Sequence, residues 1–359
     1  AMQTYDTQGE AWQVYHFDPT VTTLRQRALP VGEDLPEARR RSEEMVAGHC
    51  GRKRGDVQFS RGTLQHVGSG AWLQVQLGPG NGDAHAQFEG ALGVVVRTSL
   101  RIGHPLSRTV MVADGQFGWV PYLDASRRLG VPTISRLTRH EMFDDPEVLR
   151  RLREGVWHMV PSSRCLPQRS ALDLGMVTVP PGQDTRRPDG TTYDPITVRV
   201  VVSRYPRTGV PEHGRVIDGW QYEMFAVDVP AEALPAPDSV CLFFARAGQE
   251  NRFAQEDREV GLDRIFSYHL PGQEFAVVVG LWTWNLLLAR GFQLDPPPAV
   301  RPTQQPYVAQ VDHRSPAPTA ADPAAGDPAT QRTEEPAPSP IPPDTGPAGV
   351  VQEVESAQA

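Results

Sequence analysis

The sequence predicts an α/β protein in which a mixed sheet with flanking helices is interrupted by a β-rich insertion and followed by a disordered tail. Three observations predict this class: strand patterns near the start, alternating strands and helices after them, and short β-type segments between Pro and Gly turns from about residue 157. At 39% hydrophobic residues, a chain of 359 can bury a sizeable core. The expected segments are 1–156, 157–239, 240–295 and 296–359.

The first 80 residues carry the patterns of three strands. The stretch AWQVYHFDPT alternates bulky and polar side chains, and we expect this strand to end at Pro19. The stretches GDVQFSRGTLQHV and GAWLQVQLGPGNG are joined by a short GSG turn. This arrangement predicts a hairpin.

Helices and strands then alternate along the chain. Apolar residues at helical spacing from Phe88 to Val96 predict a helix that ends at Gly103. The run RTVMVAD predicts a strand buried on both faces, which stops at Asp114. WVPYLDASRRLG and VPTISRL predict one more helix and strand. The sheet should therefore begin antiparallel and continue parallel.

The pattern of apolar and turn-forming residues changes from about residue 157. Residues 157–239 predict a β-rich module, after which the apolar run VCLFF is interpreted as a strand leading into a helix. The run EFAVVVGLWTWNLLLARGF is shorter than the ~20 apolar residues of a typical membrane span, so we expect a buried core helix and no membrane partner. In 296–359, fifteen of 64 residues are proline and no apolar periodicity remains, which predicts disorder.

Charge and cysteine content give weaker constraints. The formal net charge is −8, and the tail contributes three arginines against eight acids. Arg52, Lys53 and Arg54 predict a phosphate-contacting surface, although a solvated loop balanced by nearby acids explains them more simply. The three cysteines are too few and too widely spaced for a disulfide framework or a metal knuckle, which favours a reduced cytoplasm. The near absence of lysine suggests a GC-rich bacterial genome.

Three acids form the candidate site. Asp18 and Asp114 come at predicted strand ends, where α/β sheets collect ligands and catalytic groups. Either aspartate alone is more simply an ordinary turn or cap residue. Glu250 lies on a predicted helix, and residues at i, i+4, i+7 and i+11 share its face: Arg246, Glu250, Phe253 and Asp257. A surface ion pair would also explain the first two.

This order of acids resembles the bacterial insertion-sequence transposases of the DDE class, whose catalytic domain is ribonuclease H-like. The matching features are an Asp on strand one, an Asp after strand four, a β-rich insertion after strand five and a Glu on the following helix. The family's helix signature of Tyr, Arg, Glu and Lys is matched by Arg246 and Glu250, whereas Phe243 and Asp257 take its outer positions. The resemblance covers roughly Trp12 to Gly291.

The resemblance implies an enzyme that hydrolyses phosphodiester bonds at transposon ends and transfers the freed 3′-hydroxyl to target DNA. It implies that Asp18, Asp114 and Glu250 are catalytic and bind two Mg²⁺ or Mn²⁺ ions. It further implies terminal inverted repeats and target DNA as partners, a homodimer in a synaptic complex, and a place at the nucleoid in the bacterial cytoplasm.

The resemblance also suggests DNA contacts beyond the acids. A DNA phosphate is expected on Arg246, and neighbouring arginines would compensate for Asp257. Two aromatic residues of the β-rich segment are candidates for base stacking, although core packing explains them more simply. The residues concerned are Arg246, Arg252, Arg258, Trp220 and Tyr222.

Two alternatives stay open at the level of sequence. Asp18 comes too early for the family's N-terminal DNA-binding domain to precede it, so the chain is expected to be a catalytic core or a truncated form. The first alternative is therefore an inactive, transposase-derived protein that binds DNA or inhibits transposition. The second is an α/β hydrolytic enzyme that acts on a substrate other than nucleic acid.

Overall fold

The fold is that of a computed structural model, which describes residues 5–7, 10–24, 39–48, 55–82, 84–161, 168–182, 185–187, 189–207, 214–246, 248–295 and 310–314. Residues 1–318 form one compact unit. A second unit, 319–359, lies outside the described residues. The strands are β1 (Tyr5–Thr7), β2 (Glu10–Thr23), β3 (Val46–Ala47), β4 (Val57–His66), β5 (Trp72–Pro79), β6 (Thr109–Ala113), β7 (Thr133–Leu137), β8 (His158–Met159), β9 (Ser170–Val179), β10 (Ile196–Pro206), β11 (Arg215–Ile217) and β12 (Trp220–Val227). The α-helices are α1 (His85–Ile102), α2 (Val120–Leu129), α3 (Pro146–Glu154), α4 (Ala236–Ala245), α5 (Gly248–Val260) and α6 (Leu270–Leu294).

The centre of the sheet has the predicted ribonuclease H-like arrangement. Its order is β5-β4-β2-β6-β7, in which β4 and β5 form the antiparallel start and β2, β6 and β7 run parallel. All five residues of β6 are buried, as its apolar run predicts. The helices α1 and α2 end at Gly103 and Gly130, both with positive φ, which glycine tolerates without strain. The predicted fold class is confirmed.

Alternation along the central strands gives the sheet two apolar faces. Phe17 and Met111 pack with α1 and α2, whereas Val14 and Val112 point to the opposite side, towards α4. On the first side, the rings of Phe17, Phe88 and Phe117 stack or meet edge to face with centroids 4.9–5.5 Å apart. Helices therefore cover both sides of the parallel strands and fix the strand ends.

The β-rich segment at 157–239 extends this same sheet. Strand β12 pairs with β7 antiparallel, and β10, β9 and β8 continue outward from it. The segment is β-rich as predicted, and its strands hydrogen-bond into the central sheet because β7 has a free edge for them. The division into domains stays a prediction.

Two helices differ from the expectation. The run VCLFF is the buried end of α4, because Pro235 and Pro237 favour a helix start there and a short apolar run does not distinguish strand from buried helix. Helix α4 ends at Ala245, and α5 begins at Gly248, a poor helix former. Arg246 therefore lies between two helices, and the single helix predicted through Arg246 and Asp257 is wrong. Arg246, Phe253 and Asp257 nevertheless line the same cavity.

The third difference is α6, which is not the buried core helix that its sequence predicts. Only 17% of its most apolar window is buried, and that window has a mean hydropathy of 1.4. Among the described residues, α6 is the one helix long and apolar enough to span a bilayer. One of its faces nevertheless packs on β5, through side chains that include Val277 and Leu281.

Part of the predicted tail is folded onto the sheet. Residues 310–314 pair with the edge strand β8: Met159 N–H donates to the Gln310 carbonyl at 2.6 Å, and Asp312 N–H donates to the Trp157 carbonyl at 2.7 Å. The Asp312 side chain is fully buried and pairs with Arg204 and Arg314. These contacts stabilise a segment that composition alone assigns to disorder. The other residues of 296–359 lie outside the described part.

Candidate functional site

Asp18 and Asp114 lie side by side at one edge of the parallel strands. The register between β2 and β6 pairs Phe17 with Ala113, so the next residue of each strand is an aspartate. Strand β2 continues past Asp18 to Thr23 because it still pairs with β4, whereas it was expected to end at Pro19. Asp18 is therefore not at a strand end as predicted, and backbone register is what brings it next to Asp114.

Neighbouring hydroxyl groups fix the backbone of both aspartates. Thr63 Oγ1 donates to the Asp18 carbonyl at 2.9 Å, and Ser135 Oγ donates to the Asp114 carbonyl at 2.7 Å. Thr63 is on β4 and Ser135 is on β7, the strands that flank the pair. The two carboxylates are thus presented by a rigid part of the sheet.

One guanidinium group bridges the two carboxylates. Arg246 Nη1 lies 3.2 Å from Asp18 Oδ1, and Arg246 Nη2 lies 3.1 Å from Asp114 Oδ1. The side chains of Arg246 and Asp18 are largely buried, whereas that of Asp114 is 40% exposed. The contact stabilises two adjacent negative charges that would otherwise repel each other.

A cavity of about 430 Å³ opens over the aspartate pair. Its lining contains a third carboxylate, Asp257, which comes from α5. The full lining is Asp18, Pro19, Thr20, Asp114, Arg246, Phe253, Ala254 and Asp257. Sequence reasoning treated Asp257 as an anomaly of the helix signature. The structure brings it to the same cavity as the two strand-end aspartates.

The third predicted ligand, Glu250, lies on α5, but its side chain is outside the described residues. Its backbone position is one helical turn before Ala254, a residue that lines the cavity. The role of Glu250 stays a prediction.

Aromatic and cationic groups pack behind α5. The rings of Trp72 and Phe253 stack at 5.2 Å, Trp72 Nε1 donates to Glu256, and the Arg61 guanidinium lies 5.5 Å from the Phe253 centroid. Burial lowers the pKa of Arg61, and the nearby carboxylates of Asp257 and Glu256 oppose that shift. These contacts attach α5 to the β4–β5 hairpin and hold Asp257 at the cavity.

A buried chain of charges runs from Asp114 into the β-rich segment. Arg136 Nη2 lies 3.7 Å from Asp114 Oδ1, and Arg136 Nη1 donates to Glu223 at 2.9 Å. Glu223 also pairs with Arg169, whose guanidinium lies about 4 Å from the ring of Tyr205. The strand patterns TISRL and WQYEMF each contain one charged residue, Arg136 and Glu223. These charges were the available signal in the sequence, and sequence reasoning missed them.

The predicted DNA contacts have different outcomes. Trp220 and Tyr222 are 2% and 6% exposed and pack in the core, so they offer no face for base stacking. Arg204 and Arg314 further cover the Trp220 ring, at 4.4 and 5.5 Å. Arg258 is exposed on α5. Arg52, Lys53, Arg54 and the side chain of Arg252 lie outside the described residues.

The donor set is chemically suited to a hard divalent cation. Carboxylate oxygens are the ligands that Mg²⁺ and Mn²⁺ prefer, and the cavity has three carboxylate side chains. Within the described ranges, no three His, Cys, Asp or Glu side chains are close enough together to hold a metal ion. Arg246 contacts both Asp18 and Asp114 in the present arrangement. Ion binding by the two aspartates requires Arg246 to move away from at least one of them.

No family model and no curated protein matches the sequence. Among solved structures, a piggyBac transposase synaptic complex with hairpin DNA is similar at 10% identity and a TM-score of 0.37, over 80% of this chain and 55% of that one. A. aeolicus Argonaute (10% identity, TM-score 0.24, 65% of this chain and 24% of that one) is also similar. Ciona intestinalis endonuclease V in complex with DNA is similar at 9% identity and a TM-score of 0.24, over 71% of this chain and 93% of that one. The chain thus spans about half the length of the transposase, and similarities of this size carry no argument about function.

Proposed function

We propose that the chain is the catalytic region of a DNA transposase that cleaves phosphodiester bonds at transposon ends and joins the 3′-hydroxyl to target DNA. One observation carries the proposal: two carboxylates lie side by side where the parallel pairing of β2 and β6 ends, and face a cavity with a third acid. Carboxylates held in this way are the protein part of a two-metal phosphoryl-transfer site. The partners would be DNA and a second copy, in the bacterial cytoplasm.

Asp18 and Asp114 would hold the metal ions, with Asp257 or Glu250 as the third acid. Two Mg²⁺ or Mn²⁺ ions, when bound, would activate the attacking water or 3′-hydroxyl and stabilise the leaving oxygen. Thr63 and Ser135 keep the two aspartate backbones in place. Such a site needs no covalent enzyme intermediate, which agrees with a sequence that has no nucleophile motif.

Arg246 would change partners during the reaction. In the present arrangement its guanidinium neutralises Asp18 and Asp114. If the two aspartates held cations instead, the same planar group would be free to bind a phosphate oxygen of the DNA, which is the role that the family resemblance implies. The arginine would thus stabilise the acids before DNA binds and the phosphate afterwards.

The test is nicking of supercoiled plasmid DNA, a substrate that needs no terminal repeat. The unsubstituted protein should nick it in Mg²⁺ or Mn²⁺ and be inactive in EDTA. Asp18→Asn and Asp114→Asn should each abolish nicking. Asp124→Asn should not, because this half-buried aspartate of α2 is not part of the cavity lining. Comparison of Glu250→Gln with Asp257→Asn would identify the third acid.

The second candidate function is DNA binding without cleavage, as in an inactive transposase derivative. The bridging Arg246 favours it, because a cation of the protein already neutralises the acid pair. Retention of plasmid in a gel-shift assay, with no nicking under any metal condition, would support this function over the first.

A further inference from the structure

Helix α6 has an inner face that is fixed to the sheet. Val277, Leu281 and Trp284 pack in an apolar cluster with residues of β4 and β5. Asn285 adds two hydrogen bonds to the backbone of Trp72: the Trp72 N–H donates to Asn285 Oδ1 at 2.9 Å, and Asn285 Nδ2 donates to the Trp72 carbonyl at 2.7 Å. The helix is therefore an integral part of the fold, and its orientation is set.

The outer face of α6 is apolar and exposed. Phe275 is 71% exposed, Trp282 62% and Leu286 51%, and Val278 and Val279 exceed 40%. Seven of the sixteen exposed large hydrophobic side chains in the described part of the chain lie on this one helix. Soluble monomers rarely expose a contiguous apolar patch of this kind unless it binds something.

A lipid surface is a poor fit for this face. The inner face binds the sheet, so the helix cannot enter a bilayer as a free span without breaking the cluster around Trp284. Helices that lie in a membrane interface carry Lys and Arg on the polar face. Helix α6 has two charged side chains, Glu274 and Arg290, and no basic cluster beside the stripe.

The exposed stripe is self-complementary about its midpoint. Phe275, Val278, Trp282, Leu286 and Ala289 follow one another at intervals of three or four residues, the spacing of helix–helix packing. If two copies pack antiparallel with Trp282 on the twofold axis, Val278 of one copy meets Leu286 of the other. In the same way the large Phe275 meets the small Ala289. An isologous interface requires this kind of match of a patch with itself.

Charge favours the same orientation. Glu274 and Arg290 lie eight residues on either side of Trp282. In an antiparallel pair, each end of the interface contains one Glu and one Arg at the same height, on opposite sides of the apolar stripe. A parallel pair would place the two glutamates together at one end and the two arginines at the other, and would also align the two helix dipoles unfavourably.

We propose that the outer face of α6 is a self-association surface, on which two copies of the chain pack antiparallel with Trp282 at the twofold axis. The interface joins two copies through helices that are fixed to their sheets, so it would hold the two acid-lined cavities in a constant relative geometry. The inference specifies the surface that would bind the second copy named in the proposed function, but it is argued from α6 and does not depend on cleavage activity.

Sedimentation velocity of the full chain over a range of concentrations tests the association. The unsubstituted protein should sediment as a dimer, and Trp282→Glu and Leu286→Glu should each sediment as a monomer with an unchanged circular dichroism spectrum. Leu100→Glu is the matched control, since this leucine is 75% exposed on α1 and should leave the dimer intact. A monomeric parent protein, or dimers that persist in both α6 variants, would overturn the proposal. So would flotation of the parent protein with phosphatidylcholine vesicles that is lost in Trp282→Glu.

Disulfide cross-linking tests the orientation. The double variant Phe275→Cys/Ala289→Cys should form a covalent dimer under oxidation, whereas each single variant should stay at the background of the native cysteines. A parallel pair would instead cross-link Phe275→Cys to itself, because equal positions then lie opposite each other. That outcome, or a dimer that none of the variants cross-links, would overturn the antiparallel arrangement.

Discussion

Replacement of Arg246 by glutamine should strengthen metal binding at the acid pair. The guanidinium contacts Asp18 at 3.2 Å and Asp114 at 3.1 Å, so a cation must displace it to reach either carboxylate. At ~4 Å and an effective dielectric constant of ~20, one such charge pair interacts with about 4 kcal/mol. Because Asp114 is 40% exposed, solvent screening reduces the net competition to about 1–1.5 kcal/mol. That free energy corresponds to roughly a tenfold lower dissociation constant for the metal.

Calorimetric titration with Mn²⁺ in the absence of DNA measures this change without any reliance on activity. Arg246→Gln should bind Mn²⁺ about tenfold more tightly than the parent protein, in line with the free energy above. Without metal, its melting temperature should be lower, since two adjacent carboxylates are left to repel each other. Arg258→Gln removes the same charge from an exposed position on α5 and should leave the affinity unchanged. Equal or weaker binding in Arg246→Gln would refute competition between the guanidinium and the metal.

Three further predictions concern stability. Glu223→Gln should lower the free energy of unfolding by about 3–5 kcal/mol in urea denaturation, because it leaves the buried Arg169 guanidinium without its carboxylate and leaves Arg136 with only the more distant, partly exposed Asp114. A loss below about 1 kcal/mol, the value of a surface pair, would contradict a buried network. Burial lowers the pKa of His66 to about 4 from 6.5, so the unfolded chain takes up the proton first as pH falls. The free energy of unfolding should therefore fall as pH drops from about 6.5 to 4, and His66→Gln should reduce that slope in urea melts at successive pH values. Asp312→Ala should release residues 310–314 from β8, which would appear as faster hydrogen exchange of the Met159 amide with no change at β6.

The sequence allowed the parallel core and the positions of two acids to be predicted, for identifiable reasons. The run before Asp114 is apolar at every position, which is typical of a strand covered on both faces, and glycines terminate the helices that flank it. Asp18 follows an alternating strand. Once those two strands are adjacent and parallel, the backbone register brings the two aspartates together.

The interactions that depend on packing could not be predicted in this way. An apolar run such as VCLFF fits a strand or a buried helix equally well. Because α4 ends before Arg246, Arg246 and Asp257 do not share one helix, although they line the same cavity. Core packing was the simpler interpretation of Trp220, but the groups that cover its ring, Arg204 and the distant Arg314, could not be predicted. The outcome in each case depends on contacts between residues far apart in the sequence.

The exposed face of α6 shows the same limit. Its composition predicts burial. Hydropathy alone does not distinguish a core helix from a helix whose outer face binds a partner. Asn285, the polar residue in the middle of the run, was the available signal, because it hydrogen-bonds to the backbone of Trp72 and so identifies the inner face.

The most direct test of the acid pair as a metal site is anomalous diffraction from crystals of the protein soaked in Mn²⁺. We expect an anomalous peak within roughly 2.0–2.6 Å of carboxylate oxygens of both Asp18 and Asp114, with the Arg246 guanidinium moved away from at least one of them. A map with Arg246 still bridging both aspartates, and with Mn²⁺ absent or bound elsewhere, would contradict it.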